Sequence, residues 1–276
     1  NYIIAVPTTE LIENKCYPAK DTNGNVKFWK KHERRAGLSP VVDNLFGLYG
    51  NFTLELKKKL KDYLSSVGVK KIICTYDKID KLMEFIIPKD FKLTIDEYHN
   101  FLKQYSFRDK AINGVLAHFK EFKSYCFLSA TPISNDLKPA IFNDIPEYIA
   151  NWNTTDEITV YPYHTNTPYM IAAKFIKTYQ TKGSLNVNGI ESKEAYFFIN
   201  SVTEIKAILK QTQLTEDDYR IICADNPKNR RTLEGYTISS STDAPKKFNF
   251  ITSKSFEGVD FHSETGLCFV VSNVQN

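Results

Sequence analysis

Runs of four or five β-branched and aromatic residues alternate with helix-period segments along almost the whole chain, and that alternation narrows the fold more than any other feature. Residues 2–6, 71–75, 91–95 and 125–129 read as buried strands in the first half, and 195–199, 219–223, 248–252 and 267–271 in the second. Between them, residues 52–66 place Leu54, Leu56, Leu60, Tyr63 and Leu64 on one helical face. Helical patterns also cover 98–122, with a break expected near Gly114, and 168–179 and 202–210. Strands separated by helices build βαβ units and a parallel sheet, with chemistry collected at the carboxyl ends of the strands.

A chain of 276 residues exceeds one typical domain. The stretch from about 138 to 167 is rich in proline and asparagine, so the expected division is 1–160 and 161–276. Two segments, 17–50 and 226–245, are polar and longer than ordinary loops, which marks them as excursions from the alternation.

The net charge of +4 is unevenly spread: residues 1–150 hold 23 Lys/Arg against 18 Asp/Glu, and the remainder 13 against 14. That surplus permits polyanion binding without demanding it. Seven cations lie between Lys15 and Arg35, among them Lys30, Lys31, Arg34 and Arg35, with Phe28 and Trp29 in their midst. Aromatic residues among cations can stack bases and hold a backbone. The Lys57-Lys58-Lys59 run with Lys61 reads as a solvated helix face. No apolar run approaches the roughly 20 residues that span a membrane. None of the five cysteines has C-x-x-C spacing, so the expectation is buried free thiols, no zinc, and a cytoplasmic or other reducing intracellular compartment.

Chemistry concentrates at Asp96-Glu97-Tyr98-His99, directly after the apolar run 91–95. An acidic pair at the carboxyl end of a buried strand can hold Mg²⁺ and orient a water. The plainer reading is that Asp96 caps the following helix. About thirty residues on, Phe127-Leu128-Ser129-Ala130-Thr131-Pro132 again runs a strand into a hydroxyl-bearing turn.

In this order the chain resembles the superfamily-two helicases of the DExH type. Residues 2–12, with Pro7-Thr8, are similar to the motif after the phosphate loop, and Thr75-Tyr76-Asp77 to the next nucleic-acid-facing motif. Asp96-Glu97-Tyr98-His99 matches the DExH box and Ser129-Ala130-Thr131 the Ser-Ala-Thr motif. Residues 197–201 resemble the start of the second RecA-like domain, and 250–260, with Thr252, Gly258 and Asp260, its fifth motif. The resemblance implies an α/β fold of two incomplete RecA-like domains with mainly parallel sheets flanked by helices, ATP and Mg²⁺ as cofactors, and DNA or RNA as partner. It implies that Asp96 holds Mg²⁺ and that Glu97 orients water. His99 would relay nucleotide state, and Ser129, Ala130 and Thr131 would couple hydrolysis to nucleic acid. Thr252, Gly258 and Asp260 would line the cleft between domains, while Pro7, Thr8, Thr75 and Tyr76 meet the phosphodiester backbone.

The sequence holds no G-x-x-x-x-G-K-[ST] loop and no Gln-x-x-Gly-Arg-x-x-Arg motif. The expectation is therefore a fragment of an ATP-dependent helicase or translocase, inactive as an ATPase on its own. The alternative is a non-catalytic RecA-like scaffold that binds nucleic acid or a protein partner.

Overall fold

The computed structural model describes every residue except 17, 18, 21–25, 28–35, 40, 41, 152–158, 188, 242, 257, 258, 260, 262 and 274–276. In chain order the first half carries β1 (Tyr2–Val6), α1 (Thr9–Cys16), β2 (Ala19–Lys20), β3 (Val26–Lys27), β4 (Gly37–Leu38), β5 (Leu45–Leu48), α2 (Leu54–Ser65), β6 (Lys71–Thr75), α3 (Ile79–Leu82), β7 (Lys92–Ile95), α4 (Asn100–His118) and β8 (Ser124–Phe127). The second half carries α5 (Pro168–Lys182), β9 (Leu185–Val187), β10 (Ile190–Ser192), β11 (Glu194–Phe198), α6 (Val202–Thr212), β12 (Tyr219–Ile222), α7 (Pro227–Thr232), β13 (Phe248–Ile251) and β14 (Gly266–Val270).

These strands form two main sheets. The first has the order β4-β5-β6-β1-β7-β8 and is parallel apart from the β4–β5 pair. The second, β12-β13-β11-β14, is parallel throughout. The α/β class with mostly parallel sheets and flanking helices is thus the observed one. Parallel pairing follows from the helices between successive strands, since a crossover returns the chain in the same direction. Each sheet has its own core. Ile3, Phe46, Leu60, Ile72, Leu93 and Phe119 belong to the first, and Ile176, Phe197, Ile205, Leu209, Phe248 and Phe250 to the second.

Register positions the chemistry. Val6 lies opposite Thr75, Ala5 opposite Ile95, and Ile95 opposite Phe127. The segments that follow these strands therefore emerge side by side: Pro7-Thr8, Thr75-Tyr76, Asp96-Glu97 and Ser129-Ala130-Thr131. In the second sheet Phe198 pairs with Ile251, which pairs in turn with Ile222, so Asn200-Ser201, Ala224 and Thr252-Ser253 share one end.

Local sequence explains most of the boundaries. Thr53 caps α2 by accepting the Leu56 amide, at 3.2 Å. Proline opens α5, and Gly183 closes it in the left-handed conformation, φ 79°. The expected break near Gly114 is not found. α4 departs from helical geometry at Arg108 instead, at φ −133° and ψ 24°. Gly114 serves packing: a Cβ there would stand 3.3 Å from Cβ of Asp80, so glycine lets α4 lie against α3.

The two excursions contain structure that alternation did not reveal. β5 lies within 17–50 and pairs directly with β6. Its Gly47 leaves room for Cys16 and Ile12 of α1, which would crowd a Cβ at 3.0 and 3.1 Å. Residues 226–245 contain α7, capped by the Asn226 side chain. Cys16, Cys74 and Cys223 are buried free thiols as expected, but Cys126 and Cys268 are exposed. Both sit on edge strands, β8 and β14, where an uncovered face meets solvent. Among the described residues no helix is long and apolar enough to cross a membrane.

Candidate functional site

At the end of β7 the chain continues its pairing for one more residue, the Asp96 amide donating to the Ala5 carbonyl at 2.9 Å. It then turns sharply. Glu97 adopts φ 53°, the left-handed region that non-glycine residues seldom occupy. Asp96 Oδ1 accepts the Glu97 amide at 3.1 Å. The Tyr98 amide donates to Leu128 at 3.1 Å, tying the turn to the end of the neighbouring strand. Left-handed backbone costs an L-residue about 1–2 kcal/mol, so the fold tolerates a strained Glu97 here. Glu97→Gly is expected to raise the urea-denaturation free energy by about 1 kcal/mol, and Glu97→Val to lower it. A stabilised valine variant would contradict the assigned backbone.

This turn brings two distant motifs into contact. The buried His99 has Nδ1 at 2.7 Å from Ser129 Oγ, 3.1 Å from Glu97 Oε2 and 3.2 Å from Thr131 Oγ1. Ser129 Oγ also accepts the Thr131 amide at 3.0 Å. On the other side of the ring, the Asn100 side-chain amide lies 3.4 Å from Nε2. Ala130 is exposed and lies between the two hydroxyl residues.

Burial raises the Asp96 carboxyl above its ordinary value, opposed by the Glu97 amide and the charges of Lys15 and His99. The sign of the linked stability follows. A carboxyl that holds its proton more tightly when folded adds stability below the ordinary carboxylate range of about 3.9. That contribution is lost as pH rises through the folded value. Asp96→Asn is therefore expected to gain stability relative to wild type as pH climbs from about 3.5 to neutral. A constant difference across a pH series of denaturation curves would contradict this.

A second group of expected residues lines a recess nearby. Pro7, Thr8, Thr75 and Asp77 from the first sheet face Ser253 and Lys254 from the second, around about 390 Å³ of open volume. Lys254 Nζ bridges the two halves through Glu10 Oε1 at 2.9 Å. Burial pushes the Asp77 carboxyl up, but hydrogen bonds from Lys78 and Thr75 and the charges of Lys78 and Arg108 hold it below the ordinary value. Tyr76 departs from expectation. It is 1% exposed, and its hydroxyl donates to the Asp96 carbonyl and, at 3.2 Å, to that of Glu97. Its ring faces the core because it packs on Phe101, so it supports the acidic turn rather than meeting a backbone.

Beside this recess lies a cleft of about 740 Å³ between the two sheets. Asn100, Lys103, Gln104, Phe107 and Arg108 form one wall; Asn200, Ser201, Lys228, Asn229, Thr252, Ser253, Lys254 and Phe256 line the other. Thr252 is on that wall, with its hydroxyl donating to the Ile222 carbonyl at 3.1 Å. Asp96 and Glu97 are not part of it. Gly258, Asp260, Lys30, Lys31, Arg34 and Arg35 lie outside the described residues. Sequence reading missed Lys103, Arg108, Lys228 and Lys254. Only the adjacency of Lys254 to Thr252 offered a signal for any of them.

No family model matches the chain, and no curated protein matches it. Among solved structures it is similar to an S. cerevisiae Dbp5 variant bound to a Gle1 variant and IP6. That match has 14% identity, covers 95% of this chain and 58% of that one, and has a TM-score of 0.48. It is also similar to the yeast DEAD-box splicing factor Prp28, at 17% identity, 98% and 57% coverage and TM-score 0.32. A third similarity is to T4 UvsW, at 12% identity, 91% and 48% coverage and TM-score 0.23. The chain spans about half the length of the solved chains it matches.

Proposed function

We propose that this chain is the nucleic-acid-binding part of a superfamily-two, DExH-type helicase or translocase built on RecA-like domains. The observation that carries the reading is the contact of His99 with both Ser129 and Thr131, at 2.7 and 3.2 Å, beside Glu97 at 3.1 Å. Two motifs thirty residues apart thereby meet in one hydrogen-bonded group at the carboxyl end of a parallel sheet, where α/β folds place their chemistry. Such a group can pass a change at the carboxylates to the Ser-Ala-Thr turn.

Mg²⁺ is usually held by one or two carboxylates with waters and substrate phosphates. Asp96 fits that role, because burial already disfavours its bare charge and a bound cation would offset the cost. When bound, the ion would neutralise charge on a phosphoryl oxygen. Glu97, at the strand end with Oε2 3.1 Å from His99 Nδ1, would orient a water. The phosphates of ATP need an amide-and-lysine cradle that the sequence does not contain. The residues present therefore fit the metal and the water but not the nucleotide's phosphates.

Nucleic acid is assigned to the recess and cleft between the sheets, where Lys103, Lys228 and Lys254 stand among amides and hydroxyls. Contacts of that kind position a backbone without reading its sequence. The test is anisotropy of a labelled single-stranded oligonucleotide titrated with the chain across a salt series. Binding that weakens steadily with salt is expected; no binding at low salt would contradict the reading.

A further inference from the structure

Arg108 and Tyr76 join the two groups of residues described above, and neither has a part in the reading so far. Arg108 is the non-helical residue inside α4, and the interruption throws its side chain across the recess. Its Nη1 donates to the Pro7 carbonyl and, at 2.8 Å, to Gln104 Oε1. Its Nη2 stands 4.0 Å from Asp77 Oδ1, a loose pairing, and the guanidinium lies 5.9 Å from the centre of the Tyr76 ring. It borders both the recess and the larger cleft. From the other end of the same ring, the Tyr76 hydroxyl reaches the carbonyls of Asp96 and Glu97. Two backbone irregularities, at Arg108 and at Glu97, are thus joined through one buried aromatic ring. Of the two only Glu97 is strained, at φ 53°, and strained backbone persists where surrounding structure holds it.

We propose that Arg108 and Tyr76 are positioning residues that link phosphate occupancy of the recess to the backbone of Asp96 and Glu97. The proposal rests on the nucleic-acid reading above and adds the route by which a bound strand is felt at the carboxylates. The ligand class is a phosphodiester backbone. A phosphate beside Pro7 and Asp77 competes for the guanidinium, because a planar fork of donors matches two phosphate oxygens better than a carbonyl and a carboxylate 4.0 Å away. Movement of the guanidinium removes the cation from the Tyr76 face. The hydroxyl then shifts against two carbonyls that share its single proton. The peptide between Asp96 and Glu97 follows, and the left-handed Glu97 is where the displacement appears.

The experiment is hydrogen–deuterium exchange on the full chain with and without a short single-stranded oligonucleotide, reading the amides of 96–100. In wild type, binding is expected to change their exchange by about threefold or more. Tyr76→Phe, which removes only the hydroxyl, is expected to bind the oligonucleotide within about twofold of wild type and to lose that change. Arg108→Lys keeps the charge but not the fork. It is expected to bind several-fold more weakly and, at saturating oligonucleotide, also to lose the change, whereas Arg108→Gln is expected to bind about tenfold more weakly. A wild-type complex whose 96–100 exchange is unaltered would overturn the proposal, as would a Tyr76→Phe chain that responds like wild type. Failure of the wild type to bind any oligonucleotide would overturn the nucleic-acid reading itself, and this one with it.

Discussion

Phe197→Ala is expected to cost about 3–5 kcal/mol and to unfold the second sheet without unfolding the first. Phe197 is fully buried on β11 and stacked between Phe250 and Phe269, with ring centres 5.5 and 4.8 Å away. Its removal opens a void across three adjacent strands that none of them can close alone. The rings and aliphatic residues around it belong to the second core, which shares no buried residue with the first. Amides of β11, β13 and α6 should therefore lose exchange protection while those of β1, β6 and β7 keep theirs. That pattern supports 1–160 and 161–276 as separately folding domains. A single cooperative transition that takes both sheets together would argue for one folding unit.

Replacing Lys103, Lys228 and Lys254 together by alanine is expected to have the largest effect on binding. All three line the cleft between the sheets. Each backbone contact to a single strand contributes about 0.7 to the slope of log K against log salt. Loss of three should flatten that slope by about 2 and weaken binding by at least about tenfold at low salt. The removal of Lys254 also leaves Glu10, whose side chain is 11% exposed, without that partner, so the recess becomes more negative as well as less positive. The comparison variant is alanine at Lys57, Lys58 and Lys59, which lie on α2 away from the cleft, Lys59 being paired with Glu55 at 2.7 Å. That variant should leave the slope nearly intact. Equal losses from the two variants would mean that binding follows net charge rather than the cleft.

Much of this architecture was legible because period and β-branched content report burial directly. Tyr2-Ile3-Ile4-Ala5-Val6 and Lys71-Ile72-Ile73-Cys74-Thr75 are strands as that pattern predicts, but only the second is buried along its length after Lys71; Tyr2 and Ile4 are exposed, so β1 is not the fully buried strand expected. The acidic turn was legible too, since the Asp-Glu pair directly follows an apolar strand run and stands about thirty residues before the Ser-Ala-Thr turn. The contact between His99 and Ser129 was not, because it depends on the register of β7 against β8. β5 escaped notice because its four residues include a glycine, whose value lies in letting α1 approach and not in strand propensity. The buried place of Tyr76 is hidden in the sequence for a related reason. A Thr-Tyr at a strand end looks equally suited to a ligand or to the core, and only the packing against Phe101 decides. Arg108 sits in an otherwise ordinary helical pattern, and nothing in its neighbours announces the interruption.

The central claim is that a strand of nucleic acid lies between the two sheets. Photo-crosslinking of a single-stranded oligonucleotide carrying a zero-length photoreactive base, followed by peptide mapping, tests it most directly. The exposed rings of Phe107 and Phe256 border the cleft on opposite sides, so adducts are expected in the peptides spanning 100–108 and 252–256. Adducts found solely on peptides remote from both walls, with those two segments unmodified in a saturated complex, would contradict it.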